Sequence, residues 1–308
     1  MMRVIRRLLV TAAGAALIGA ALFWLVTMPY GMTAAALGSH VPDLANGRTV
    51  FFAGGCASCH AMPGGDDRLR LGGGLGLKSP FGTFYAPNIS PDANDGIGRW
   101  SEADFVTALR MGVSPDGRHY FPAFPYTSYQ HMTLDDARDL FAFLKTLPAV
   151  AGRAPLHDVP FPFNIRRGVG LWKWVYLDGK PFAPDATKSA RWNRGAYLVN
   201  GPGHCAECHS PRNFLGGIVT AQRFAGGPSA DGEGSVPNIT QKGIGSWPED
   251  DIAFMLETGD TPDGNSVGGA MRDVIRNLSQ LSPEDRMAIA VYLKSLPPVE
   301  GPPKAPSK

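Results

Sequence analysis

The feature that most constrains this chain is a five-residue pattern that occurs twice, as Cys56-Ala57-Ser58-Cys59-His60 and as Cys205-Ala206-Glu207-Cys208-His209. The chain has 4 cysteines, and all of them fall inside these two motifs, so none is left over for a structural disulfide. A lone Cys-x-x-Cys is compatible with a redox dithiol or half a zinc site. The histidine that follows at once, both times, instead matches the attachment pattern for c-type haem. The spacing follows from the chemistry: two thiols add to the two vinyl groups of one porphyrin, and the adjacent imidazole reaches the iron as proximal ligand. A shared four-cysteine zinc site would need thiolates 149 residues apart (205 − 56) to converge. The sequence therefore predicts two covalently bound haem c groups, with Cys56, Cys59, Cys205 and Cys208 as attachment points and His60 and His209 as proximal ligands.

Two motifs so far apart should bring their surroundings with them, and they do. Pro87-Asn88-Ile89-Ser90 recurs as Pro237-Asn238-Ile239-Thr240, and Gly96-Ile97-Gly98-Arg99-Trp100 as Gly243-Ile244-Gly245-Ser246-Trp247. Ser114-Pro115-Asp116-Gly117 recurs as Thr261-Pro262-Asp263-Gly264, and Phe143-Leu144-Lys145-Thr146-Leu147-Pro148 as Tyr292-Leu293-Lys294-Ser295-Leu296-Pro297. In both copies a proline closes a helix that opens after Thr133 or Ser282 with acidic residues in its first turn. A length of 308 residues suits two domains. All clear elements read as helices, while 38 Gly and 27 Pro imply long irregular stretches between them. Gly47 and Gly195 lie early in the helix before each motif, where a missing side chain would let the terminal helix cross closely, as in class I cytochrome c domains; ordinary turn punctuation is the alternative. The expected organisation is a cytochrome c domain at 43–152, a packed connecting segment at 153–188, a second such domain at 189–298 and a flexible tail at 299–308. The connector, with Phe161, Phe163, Trp172 and Trp174, is too apolar for a free linker.

Arg3, Arg6 and Arg7 precede Leu8–Met28, which carries no charge, and the next charged residue is Asp43. Such a run can span a bilayer, and the basic flank predicts that residues 1–32 anchor the chain with its N-terminus in the cytoplasm. A removable secretory signal is the alternative, with Thr33-Ala34-Ala35-Ala36 near a cut. The run is longer than an ordinary signal core, and Trp24 and Tyr30 suit an interface. Both readings place the haem domains in the bacterial periplasm, the first at the inner membrane. The net charge of +2, with no basic run beyond the N-terminus, shows no nucleic-acid footprint.

A low-spin haem usually has a second axial ligand, and methionine in that place raises the potential and blocks small molecules. Met271, in Gly268-Gly269-Ala270-Met271, suits this role on a loop before the second terminal helix. Met255 and Met287 fall at apolar helical positions and read as core. In the first copy Phe124 stands opposite Met271, and phenylalanine cannot bind iron. Met132, immediately before the terminal helix, is the expected substitute, with His119, His131 or an open site as alternatives; Met111 reads as helix packing. His40, His157 and His204 show no partner arrangement. Trp100 and Trp247 read as core aromatics or propionate donors, and Asn88 and Asn238 as loop holders or turn formers.

These motifs, with Phe121-Pro122-Ala123-Phe124-Pro125-Tyr126-Thr127-Ser128-Tyr129, resemble the membrane-bound cytochrome c subunits of bacterial alcohol, aldehyde and gluconate dehydrogenases and related dihaem cytochromes, over about residues 43–298. The resemblance implies an all-α fold of tandem class I cytochrome c domains after a transmembrane helix. It also implies a subunit that takes electrons from a periplasmic dehydrogenase and passes them to quinone or a terminal oxidase. Dehydrogenase-associated members commonly carry three haems, whereas this chain has two motifs, and many have methionine where Phe124 stands. The rival expectation is a dihaem redox enzyme, peroxidase-like or acting on sulfur compounds, with an open first haem.

Overall fold

The computed structural model describes residues 1–229, 232 and 234–303. Helix α1 (Met2–Val26) is long and apolar enough to cross a membrane by length and composition, and none of its residues is buried. After a single turn, α2 (Ala34–Leu37), the chain builds its first core from α3 (Leu44–Ala53), α4 (Cys56–His60), α5 (Glu102–Met111), α6 (Tyr126–Tyr129) and α7 (Leu134–Leu144). Phe51, Val106, Met132 and Leu144 lie at its centre. Helix α8 (Gly168–Tyr176) sits in the connector. The second core is built from α9 (Ala190–Asn200), α10 (Ala206–His209), α11 (Gln241–Ile244), α12 (Glu249–Thr258), α13 (Met271–Leu278) and α14 (Pro283–Ser295), around Val199, Ile252 and Ala290.

Helices dominate, but two short antiparallel pairs depart from the all-α expectation. Strand β1 (Gly76–Ser79) pairs with β2 (Gly82–Tyr85), and β3 (Gly227–Pro228) with β4 (Ser235–Val236). In the first pair Pro80 and Phe81 form the turn, and Gly82 takes φ +122, a conformation that favours glycine. Leu77 and Phe84 are cross-strand partners, and strands of four residues are too short to show a period in the sequence.

The helix ends follow the local chemistry. The side chain of Thr133 accepts from Asp136 N and that of Ser282 from Asp285 N, as the acidic first turns predict. The crossing of α3 on α7 and of α9 on α14 is backbone on backbone. A methyl group on Gly47 would run into Asp139 O, and one on Gly195 into Ala288 O.

The connector touches both halves. Asp158 bridges to Thr83, and Phe182 N donates to His131 O. On the other side Trp172 Nε1 donates to Leu215 O at 2.9 Å and Asn213 Nδ2 to Tyr176 Oη at 3.0 Å. The tail expected at 299–308 lies outside the described residues from 304 onward. Of the rest, Val299 O accepts from Asn238 Nδ2 at 2.8 Å, and Lys242 pairs with Glu300 at 2.6 Å.

Candidate haem-attachment sites

Helix α3 stops at Gly54, and Gly55, at φ +56, turns the chain into the single turn of α4. That turn places Cys56 and Cys59 three residues apart on one face, with His60 directly after. The second motif repeats the arrangement on α10, with His204 at φ +39 in the place of Gly55. The left-handed conformation is unusual for a side-chain-bearing residue, and the surroundings hold it: His204 Nε2 approaches Gly54 O at 3.2 Å, and its ring packs edge-on against Tyr129.

The histidine of each motif is oriented identically. His60 Nδ1 donates to Pro87 O and His209 Nδ1 to Pro237 O, both at 2.8 Å. Burial pulls the pKa of both imidazoles down, against the carbonyl contact that raises it. The neutral ring with its proton on Nδ1 presents the Nε2 lone pair, which is what an axial ligand requires. The loops carrying the two prolines are pinned in turn. Asn88 Nδ2 donates to Val150 O and Gly152 O, and Asn238 Nδ2 to Val299 O. Their Oδ1 atoms accept from Ser90 N and Thr240 N. Both sequence readings of these asparagines, loop holder and turn former, therefore apply together.

Burial pushes Cys56 and Cys205 up to about 12 and Cys59 up to about 11, whereas the attacking thiols of redox dithiols are pulled down. Among the described residues no three His, Cys, Asp or Glu side chains converge as metal ligands. The donor set of each motif, two thiols and one free imidazole nitrogen, fits a covalently attached haem.

The distal candidates separate on geometry. Met132 is fully buried and shares the first core with Cys56, Ala57 and Ala61 of the first motif. Met271 shares the second core with Cys205 and Ala206. It opens α13 rather than lying on a loop; the spacing of Met271, Val274, Ile275 and Leu278 is a helical signal that the glycines before it obscure. Met255 and Met287 lie within α12 and α14. Phe124 packs among Tyr120, Tyr126 and Tyr129. His119 is removed as a ligand, because Nε2 donates to Thr27 O at 2.9 Å and Nδ1 accepts from Lys173 Nζ at 3.2 Å. His131 Nδ1 is bonded to Lys180 O. His40 and His157 do have partners: His40 Nε2 meets Asp139 Oδ1 at 2.6 Å, and His157 Nδ1 accepts from Tyr85 N. Trp100 and Trp247 pack on the two cores.

The two motifs face each other, which spacing alone could not reveal. Ser58 Oγ accepts from Asn277 Nδ2 on α13 at 2.9 Å. In the opposite direction Glu207 Oε1 accepts from Thr127 and Ser128 of the first half at 2.8 and 2.7 Å, while Oε2 pairs with Arg212 at 2.6 Å. Burial alone would raise the Glu207 carboxyl pKa; Arg212 and the two hydroxyls hold it below its ordinary value. The third residue of each motif, Ser58 or Glu207, thus contacts the opposite half, while Ala57 and Ala206 pack in their own cores.

A family model for cytochrome c matches residues 44–148. The chain is 48% identical over 293 residues to a dihaem c-type cytochrome of Cereibacter sphaeroides, covering 94% of this chain and 98% of that protein. It is 39% identical to the fructose dehydrogenase cytochrome subunit of Gluconobacter japonicus and 38% identical to the gluconate 2-dehydrogenase cytochrome c subunit of Pantoea cypripedii. Those matches cover 84% and 79% of this chain but span only 54% and 57% of the relatives.

Proposed function

The chain belongs to the dihaem c-type cytochromes, with two covalently bound haem c groups, and from that premise we propose that it relays electrons from a periplasmic dehydrogenase to quinone or a terminal oxidase. Bound haem c supplies the one-electron ferric–ferrous couple. In this reading residues 43–152 and 189–298 are tandem class I domains held at the inner membrane by α1, with their haems in the periplasm. Cys56, Cys59, Cys205 and Cys208 form the thioethers, His60 and His209 are the proximal ligands, and Met132 and Met271 the distal ones. The observation that carries the proposal is the facing of the two attachment motifs across the contacts of Ser58 with Asn277 and of Glu207 with Thr127 and Ser128. An arrangement that brings two attachment edges together serves transfer between them. The dehydrogenase relatives support the class of donor, although the chain covers 57% or less of the length of the two named above.

A second reading, a dihaem redox enzyme with an open first haem, is favoured by one feature, Phe124 opposite Met271. Carbon monoxide separates the two. The purified ferrous holoprotein should bind none rapidly, whereas Met132→Ala and Met271→Ala should each open one haem to one equivalent. Rapid stoichiometric binding to the unsubstituted protein would sink the pure-carrier reading.

A further inference from the structure

Helix α8 has one buried face and one bare one. Val169, Gly170 and Lys173 point into the protein, whereas Leu171, Trp174 and Val175 point out, with Trp174 and Val175 exposed at 73% and 69%. The bare strip continues through Phe161 and Phe163 before the helix and through Phe214, 87% exposed, on the loop whose Leu215 O accepts from Trp172. Six outward apolar side chains in one belt exceed the scattered singles of an ordinary surface.

The position of this belt relative to α1 suggests what covers it. Trp174 Nε1 donates to Val26 O at 2.9 Å. Arg167 Nη2 donates to Trp24 O at 2.6 Å, with its guanidinium 4.0 Å over the Trp24 ring. Two of the carbonyls that the end of α1 leaves without helical partners are therefore capped by α8 and the residue before it. The uncharged stretch from Leu8 to Val26 is about 28 Å long at 1.5 Å per residue, close to the roughly 30 Å of a bilayer's hydrocarbon core. Val26 thus marks the outer edge of that core, and α8, bonded to it, lies at the same level. From Val159 to Leu177 the chain has no acidic residue; of its three basic ones Lys173 faces inward, which leaves the half-buried Arg166 and Arg167 on the outer side. Tryptophan, phenylalanine and cationic side chains without acids are the composition of a segment lying in an anionic interface.

From this geometry we infer that the outer face of α8, with the 161–165 segment and Phe214, lies in the outer interface of the bilayer and fixes the haem-bearing lobes against it. This rests on the reading of α1 as a retained anchor. The surface is a second membrane contact, which sets the height and tilt of both attachment sites above the lipid.

All 4 native cysteines are consumed by the haems, so an added cysteine is the single free thiol for a spin label. Phe161→Cys, Leu171→Cys and Val175→Cys would be labelled in the full-length holoprotein, reconstituted in phosphatidylcholine–phosphatidylglycerol nanodiscs. Leu22→Cys in α1 serves as the membrane control, and Ala93→Cys, on an exposed turn before α5, as the water control. Collision rates with oxygen and with a water-soluble nickel chelate read the depth. The oxygen-to-nickel ratio at 161, 171 and 175 should exceed that at 93 several-fold and approach that at 22. A ratio equal to that at 93, with 22 still reading lipid, would overturn the interfacial contact while leaving the anchor intact. A water-like ratio at 22 would overturn the anchor and the contact with it. Shielding from both probes, seen only when a dehydrogenase is added, would assign the belt to a protein partner and overturn the lipid assignment.

Discussion

Glu207 is the residue whose chemistry matters most and whose sequence position says least. It occupies a variable position of its motif, yet its carboxylate receives two hydroxyls from the opposite half and a guanidinium from its own. A buried negative charge beside a haem stabilises the ferric state, because the oxidised group carries the extra positive charge. Glu207→Gln, which keeps the shape and removes the charge, should therefore raise the midpoint potential of the second haem by on the order of tens of millivolts. A redox titration of the holoprotein followed by absorbance checks this; an unchanged potential would mean that the carboxylate acts only as an interdomain clasp. The same lesson holds for His119. From the sequence it was a candidate nitrogen ligand. In the structure both ring nitrogens are spent on Thr27 and Lys173, so a residue that looked like metal chemistry joins the end of α1 to the connector.

At the scale of elements, the crossing of α3 with α7 and of α9 with α14 sets the shape of each half, and it depends on a missing side chain at each crossing. Gly47→Ala and Gly195→Ala would each push a methyl group into a carbonyl oxygen of the partner helix. Each should cost about 1–3 kcal/mol of stability and lower haem incorporation in the corresponding half, measured as denaturation midpoint and haem-to-protein ratio. The joint between α5 and α8 makes a different prediction. Lys173 Nζ donates to Met111 O and Gly112 O, both at 2.6 Å, and to His119 Nδ1. Burial lowers its pKa from the ordinary 10.5 to about 7. Between those two values the unfolded chain holds a proton that the folded chain has released, so stability should rise with pH across that window, and the penalty is fully present below about 7. Lys173→Met should flatten that slope. It also leaves Met111 O and His119 Nδ1 without that donor, at a cost of about 1–3 kcal/mol, while Gly112 O keeps Tyr120 N. Denaturation of both proteins at several pH values between 7 and 10.5 reads both effects, and parallel slopes would refute the assignment to Lys173.

For the whole molecule, the question is how two repeated units become one conductor. The chain itself determined the chemistry of each site. The cysteine pair with the histidine directly after it points to covalent haem and makes that histidine the proximal candidate, and the paired Pro-Asn, Gly-Ile-Gly and terminal-helix segments reveal the repeat, because all of these are constraints between near neighbours. Helix starts at Thr133 and Ser282 were legible for the same reason, since a cap is satisfied within three residues. The helical opening of Met271 was equally local, but the two glycines before it gave that stretch the look of a loop. What only the tertiary structure decided are the contacts between residues far apart in the chain: Ser58 with Asn277, Glu207 with Thr127, Trp174 with Val26. Such pairs leave no period or spacing in a single sequence, because they arise from how finished surfaces meet. The attachment sites follow from near-neighbour chemistry, whereas their facing one another and their footing on the end of α1 follow from the packing of whole elements.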